Sequence, residues 1–469
     1  MRIGTNVAAI VANNALQKSQ NNLSTSIERL SSGYKINGSK DDAAGCAISE
    51  KMRAQIRGLS QAQNNTADGV SVLNTAEGAI TEIQSMLTRL KELSVQAAND
   101  VNSDDEREAI QKEIEQINNE IDRISDQTEF NTQSLINGNL SRRVYSDLQG
   151  VNQLSVSDSY TAGVYGITVT EDARQAIAVG AGSITMSSTA SITEEQAGAI
   201  NINGYKISIS EGDTLDKVMG KIIDGVNITG GSAFTVKDLN NDTAANGTDY
   251  AGYVPTADYA GSTLVIMTNQ YGSDQKMNIT CDNAELADIL GIPQAATQDG
   301  IYVEGSDVKA EIATGDDGKR IGFADSAILS TKGTVITVTD VNNKEFSMDV
   351  PGNAAGTVFD DSNNDGQSVA GAGTARTISQ EVTDVGTMSI HVGANQDQVI
   401  VIDIPAITTY SLGTEHMNVM TQYTASRAIS TVDEAINKTN KIRSRIGAYE
   451  NRFDHTTNNL EVSSENLTK

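Results

Sequence analysis

The 469-residue sequence has no tryptophan, two cysteines, three histidines and four prolines, and only 4% of its side chains are aromatic. Acid–base catalysis, metal ligation and aromatic stacking draw mainly on those residue types. His391, His416 and His455 each stand without a neighbour of that kind, so an enzyme is disfavoured. Cys46 and Cys281 are too few for a disulfide framework and read as small buried hydrophobes. No apolar run reaches the roughly 18 residues that a membrane helix needs. The best N-terminal candidate, Val7 to Ala12, stops at Asn13 and Asn14, so a chain that leaves the cell is expected to use a route other than a conventional signal peptide. Positive charge is scarce too: 34 Lys and Arg against 61 Asp and Glu give a net charge of −27. Such a surface repels nucleic-acid backbones and anionic membranes, and neither is expected as a partner.

What is present falls into three zones. Residues 1–140 hold 13 basic and 19 acidic side chains, residues 415–469 hold 7 and 7, and residues 141–414 hold 14 and 35. The middle zone also contains all four prolines, Pro255, Pro293, Pro351 and Pro405, which are costly inside helices. In the first zone Ile80, Ile83, Leu87 and Leu90, then Ile110, Ile114, Ile117, Ile121 and Ile124, recur at steps of three and four. That is a heptad seam, broken between Asn99 and Asp105, where Ser103 followed by Glu106 resembles a capping box; two antiparallel helices are expected. An earlier helix carrying Leu23, Ile27 and Leu30 is expected to stop at Gly33, with a turn at Asn37-Gly38 and a new helix capped by Ser39 and starting near Lys40.

The last zone repeats the seam at Val432, Ala435, Thr439, Ile442, Ile446, Tyr449 and Phe453, and on through Thr456, Leu460, Ser463 and Leu467. One apolar stripe cannot be buried by its own helix, so the two chain ends are expected to form one domain. The middle zone reads as strands at Ile207–Ser210, Thr263–Thr268, Met277–Cys281, Val335–Thr339 and Val399–Ile404, with a strand pair and a short helix opened by Asp213-Thr214 within residues 202–226. The fold class that follows is an α+β multidomain chain: N- and C-terminal α-helices in a coiled-coil-like helical bundle, with an inserted β-rich variable region.

Chemical motifs are weak. Asp361-x-Asn363-x-Asp365-Gly366 begins like a calcium loop, but its twelfth position is Ala372 instead of a bidentate Glu. Gly180-x-Gly182 and Gly371-x-Gly373 lack the third glycine of a dinucleotide fingerprint, and neither Gly220-Lys221 nor Gly318-Lys319 is followed by Ser or Thr. No histidine opens H-E-x-x-H and no serine lies in G-x-S-x-G. Asp41-Asp42 and Asp104-Asp105 sit where helices begin, which favours capping over catalysis. No catalytic residue, metal or cofactor is expected. The polar outer faces of the two seams suggest helices that complete their burial against neighbouring copies, as in a self-assembling structural protein.

Arg29-Leu30-Ser31-Ser32-Gly33-Tyr34-Lys35-Ile36-Asn37, followed by Asp41-Asp42-Ala43-Ala44-Gly45, resembles the N-terminal signature of bacterial flagellin. Leu90-Lys91-Glu92-Leu93-Ser94-Val95-Gln96-Ala97-Ala98-Asn99 is similar to the family's next helix. Ile390-His391-Val392-Gly393-Ala394-Asn395 and Ile446-Gly447-Ala448-Tyr449-Glu450-Asn451-Arg452-Phe453 resemble its returning strand and C-terminal helix. The resemblance covers both ends of the chain and leaves the middle as the family's variable, outward-facing region.

The resemblance implies a filament subunit with an N-terminal assembly segment at residues 1–40, a helical core at 41–140 plus 391–469 with a returning hairpin, and an outer region of two small modules at 141–390. Its assembly signature is Arg29, Leu30, Ser31, Ser32, Gly33, Asp41, Asp42 and Gly45. The implied partners are other flagellin subunits, the flagellar type III export apparatus and an export chaperone, the flagellar cap and hook-junction proteins, and host Toll-like receptor 5. The receptor contact would use Arg89, Leu93 and Glu113, with Leu90 and Glu92 beside them; an Arg and a Glu on adjacent antiparallel helices would frame an exposed Leu. The implied location is extracellular, in the filament. Flagellins normally continue past the equivalent of Leu467 with an apolar helix that pairs with the first residues, so Met1 to Ser32 are expected to lack that partner here. A hook-filament junction or cap protein, and a flagellin with an enzyme in its variable region, are the alternative readings.

Overall fold

A computed structural model describes residues 7–157, 160–237, 259, 261–292, 300–315, 318–340, 344–352, 354, 359–360, 369–370, 375–383 and 385–469. The Asp361 loop and Gly371-x-Gly373 lie outside the described residues. Seven helices are described: α1 (Val7–Ser32), α2 (Ala43–Ala97), α3 (Asp104–Gln127), α4 (Leu215–Ile228), α5 (Ala284–Ile289), α6 (Thr409–Leu412) and α7 (Gln422–Thr468). The chain divides into two compact units, one of Met1–Ser71, Ser389–Val401 and Tyr449–Lys469, the other of Val72–Met388 and Ile402–Ala448.

In the first unit, Leu59 and Ala62 of α2 pack with Leu460 of α7, flanked by Ala394 and Leu467. A Cβ on Gly69 would lie 3.0 Å from the Phe453 ring, so the missing side chain is what admits the buried aromatic. Asn65 Nδ2 donates to the His391 carbonyl at 2.9 Å, which fastens the hairpin of Met388–His391 and Val399–Ile402 to α2. By contrast α1 buries none of its residues.

In the second unit the heptad seams are interior. Ile80, Ile83, Leu87 and Leu90 of α2, Ile114 and Ile121 of α3, and Val432, Ala435, Thr439 and Ile446 of α7 are all buried. Polar contacts set the register of α7 on α2: Arg443 Nε to Glu77 Oε1 at 2.5 Å, Gln84 Nε2 to Asn440 Oδ1 at 3.1 Å, and Lys91 Nζ to Asp433 Oδ1 at 2.5 Å. The α2–α3 turn is built as its residues dictate. Arg107 Nε donates to the Ala97 carbonyl at 3.1 Å, meeting an acceptor orphaned at the end of α2. Ser103 caps α3 with a complete capping box, its N–H donating to Glu106 Oε2 at 2.8 Å. Those hydrogen bonds from Ser103 hold the Glu106 carboxyl below its ordinary pKa.

Among the described residues the inserted strands form two large cores, beside a small cluster of Ile177, Val179, Phe234, Val265 and Met267. A four-stranded antiparallel sheet runs Ile301–Glu304, Lys276–Cys281, Gly198–Ile202, Tyr205–Ile209, and a three-stranded one runs Ile177–Ser183, Ser262–Thr268, Gly231–Lys237. With α4 and α5 they enclose a cluster that includes Ile200, Ile207, Met219, Ile222, Leu264 and Cys281. The other core lies among the strands Lys309–Ile312, Gly163–Glu171, Arg376–Val382, Val144–Ser146 and Ile328–Lys332, Val335–Thr339, Glu345–Asp349, Asn152–Val156, two further antiparallel sheets. Its centre is aromatic: Tyr160, Tyr165, Phe323 and Phe346 meet with centroid separations of 5.0 to 6.1 Å.

One buried charge is fully clamped. Asp213 accepts from Lys217 Nζ at 2.7 Å, Lys221 Nζ at 2.6 Å and the Ser210 N–H at 3.0 Å. The Lys217 bond, then the Lys221 and Ser210 bonds, hold its carboxyl well below the usual range. A depressed folded pKa stabilises the fold above the ordinary carboxylate pKa, and that contribution is lost as pH falls toward the folded value. Asp213→Asn is therefore expected to destabilise the α4 core at neutral pH and to flatten its acid dependence, as read by thermal melts across an acid series. An unchanged acid slope would show that the clamp is not the titrating element.

Candidate functional site

The signature residues form a compact turn between α1 and α2. Gly33 closes α1 at φ +74°, its N–H donating to the Arg29 carbonyl at 2.9 Å, a left-handed cap that favours glycine. Ser32 Oγ accepts from the Tyr34 N–H at 3.2 Å and donates to Asn37 Oδ1 at 2.7 Å. Arg29 reaches Asp41 at 3.9 Å, and Asp41 Oδ2 accepts from the Asn37 N–H at 3.2 Å. Asp42 Oδ1 accepts from the N–H groups of Ala44 at 3.1 Å and Gly45 at 3.0 Å. The new helix is thus capped by Asp42 and starts at Ala43, where Ser39 and a start near Lys40 were expected; the carboxylate nearer the helix reaches its orphan donors first. A Cβ on Gly45 would lie 2.6 Å from Asp42 Oδ2 and 2.8 Å from Ile36 Cδ1, which explains the glycine there. Ser31 and Leu30 face solvent, Leu30 at 85% exposure.

Asp42→Ala is expected to cost about 0.5–2 kcal/mol of helix stability, seen as faster amide exchange in the first turn of α2. Asp42→Asn, which keeps the cap acceptor, should restore it.

The α2–α3 face is different in kind. Arg89 Nη2 and Nε both donate to Glu113 Oε1, at 2.7 and 3.0 Å, and Nη1 donates to Glu92 Oε2 at 3.2 Å. The Glu113 bond, with help from Glu92, raises the Arg89 pKa. All three side chains are about half exposed. The expected exposed leucine is not there: Leu93 is 1% exposed and Leu90 0%. Both belong to the seam, because continuing the spacing of Ile83, Leu87 and Leu90 carries the buried face through Leu93, Ser94 and Ala97. The apolar side chain that does stand free one turn past Glu92 is Val95, exposed together with Thr88 and Gln96. Its signal was in the heptad phase.

His391, His416 and His455 are each exposed, and among the described residues no group of three or more His, Cys, Asp or Glu could hold a metal ion. Cys281 is buried, its thiol pKa raised chiefly by that burial, and Cys46 is half-buried. Among the described residues no helix is long and apolar enough to cross a membrane.

Residues 3–141 match the bacterial flagellin N-terminal helical region, and residues 429–469 match the bacterial flagellin C-terminal helical region. A flagellin of Salmonella typhimurium is 30% identical over 491 aligned positions, which take in 99% of this chain and 90% of that protein. The chain belongs to the bacterial flagellin family. A flagellin of Clostridium tyrobutyricum is 39% identical across 45% of this chain and 63% of its own length. Among solved structures, FliC from Burkholderia pseudomallei covers 82% of this chain and 99% of its own at 14% identity, with a TM-score of 0.24. The junction protein FlgL from Legionella pneumophila covers 87% and 99% at 12% identity, with a TM-score of 0.26. As a flagellin, the chain is a structural subunit of the flagellar filament, with terminal helical regions and an inserted β-rich middle.

Proposed function

We propose that this flagellin assembles with copies of itself through the apolar stripe of α1, making a helical homopolymer for motility outside the cell. The observation that carries this reading is the exposure of Leu16, Leu23, Ile27 and Leu30, at steps of seven, four and three on a helix that buries nothing. A stripe of that kind is costly in water and is covered by a neighbour. Contacts that are heterologous and do not close produce an open helical filament. Residues 1–40 then act as the assembly segment, 41–140 with 391–469 as the helical core, and 141–390 as the outward-facing region. Export through the flagellar type III apparatus with a chaperone, and contact with cap and hook-junction proteins, follow from the same reading. Seeded polymerisation tests it: purified chain mixed with short flagellin filaments should lengthen them in electron micrographs, and seeds that fail to grow would contradict it.

The same chain is a candidate ligand of host Toll-like receptor 5 through Arg89, Glu92 and Glu113, with Leu90 and Leu93 acting from beneath as the packing that holds this face. Exposed ion pairs contribute about 0–1 kcal/mol to stability, so Arg89→Ala should leave the melting temperature nearly unchanged. It should reduce receptor-reporter activation at least ~10-fold, the loss of one interface anchor of about 1.4 kcal/mol or more. Equal activation by the two proteins would remove Arg89 from the contact.

A further inference from the structure

Three Asn-Gly pairs lie within the described residues, Asn37-Gly38, Asn137-Gly138 and Asn203-Gly204, each preceded by an isoleucine. The fourth, Asn246-Gly247, lies outside them. Asn-Gly is the dipeptide most prone to intramolecular attack of a backbone nitrogen on a side-chain amide, because glycine has no Cβ to obstruct it. With the same residue before each pair, the fold decides which of the three can react.

The three environments differ sharply. Asn203, like Asn37, has a donor on Oδ1, the Asn278 N–H at 2.8 Å, but its Nδ2 donates to the Lys276 carbonyl at 3.2 Å, and that second bond fixes the amide plane in place. The attacking group is also occupied, the Gly204 N–H donating to Asn201 Oδ1 at 2.8 Å. Asn137 Oδ1 accepts from the Asn139 N–H at 3.1 Å, and a Cβ on Gly138 would stand 3.1 Å from Ala406 Cβ, so the backbone there is packed. Asn37 is exposed, a Cβ on Gly38 would meet nothing within 4 Å, and among the described residues no acceptor takes the Gly38 N–H. The hydrogen bond that its side chain does make helps the reaction: Ser32 Oγ donates to Asn37 Oδ1 at 2.7 Å, which polarises the amide and stabilises the charge that develops on Oδ1 in the tetrahedral adduct.

We propose that Asn37-Gly38 is a self-modifying site of the folded chain, forming isoaspartate within the turn that joins α1 to α2. The Gly38 nitrogen forms a bond to Asn37 Cγ and the Cγ–Nδ2 bond breaks; the proton leaves with the amide nitrogen as ammonia, giving a succinimide with no change in oxidation state. Water then opens the ring. Attack at the residue-37 main-chain carbonyl leaves the chain linked through Cγ as isoaspartate, and attack at Cγ gives aspartate. Either product adds a carboxylate beside Asp41, which accepts from the Asn37 N–H, and Asp42, which caps α2. The isoaspartate form also lengthens the backbone by one atom at this turn. Subunits would thereby carry a chemical record of age inside the segment that joins α1 to α2.

The test is incubation of the full folded chain at neutral pH, beside a urea-unfolded sample, with peptide mapping of each Asn-Gly pair and enzymatic methylation of isoaspartate. Each event adds about 1 Da and one negative charge. In urea the three pairs should react at similar rates. In the folded chain Asn37 should stay within about threefold of its unfolded rate, while Asn203 falls at least ~10-fold, the factor that 1.4 kcal/mol of added barrier gives. Ser32→Ala should slow Asn37 in the folded chain and leave its unfolded rate unchanged, which separates polarisation from sequence effects. Suppression of Asn37 as strong as that of Asn203 would overturn the site, and a Ser32→Ala rate equal to or above the parent's would overturn the role of the hydroxyl.

Discussion

Replacing Ile27 and Leu30 together by glutamate is expected to abolish seeded filament growth while leaving the melting of the rest of the chain where it was. The two side chains lie on the exposed stripe of α1, which contributes no buried residue to either compact unit, so their loss removes nothing from a core. In a filament they would be covered, and each buried aliphatic side chain is worth about 1.5–3 kcal/mol. Two of them correspond to a rise of roughly 10²–10⁴-fold in the critical concentration, and a charge forced into the contact adds to it. Sedimentation of polymer against monomer across a concentration series measures that shift. A double variant that polymerises like its parent would mean that α1 is not the contact.

Phe346→Ala separates the outer region from assembly. Phe346 is wholly buried, 5.6 Å from Phe323 and 6.0 Å from Tyr160 and Tyr165 by ring centroids. Truncating a buried phenylalanine costs about 3–5 kcal/mol, which is much of the net stability of a small domain. The surrounding sheets should melt in a separate, lower transition by calorimetry and become sensitive to protease. Seeded growth should persist, because the stripe on α1 and the seams of α2, α3 and α7 contain none of these residues. Joint loss of melting and growth would show instead that the aromatic core supports the assembly surface.

The contrast between these two variants reflects what the amino acids make legible. The helical ends could be read because their causes are local. Steps of three and four fix the buried face, Gly33 ends a helix through its own backbone freedom, and Ser103 with Glu106 closes a box within one turn. Cap choice was less legible at the start of α2, since Ser39 and Asp42 both carry acceptors and only the path of the turn decides between them. Strand positions followed from β-branched runs, but sheet order did not. Gly163–Glu171 pairs with Arg376–Val382 across more than half the length of the middle zone, and no local pattern encodes a partner so distant. The burial of Leu93 has another origin. Its expected exposure conflicts with a spacing that already turns it toward the buried seam and turns Val95 outward.

Amide hydrogen exchange of α1, compared between free chain and seeded filament, tests the assembly face most directly. In the free chain, α1 amides should exchange far faster than those of Ile80 to Leu90, since no tertiary packing protects them. In the filament, protection across Leu16 to Leu30 should rise to the level of the buried seam. Filaments that form with α1 still exchanging as it does in the free chain would contradict the proposal that this stripe is the surface by which copies of the chain meet.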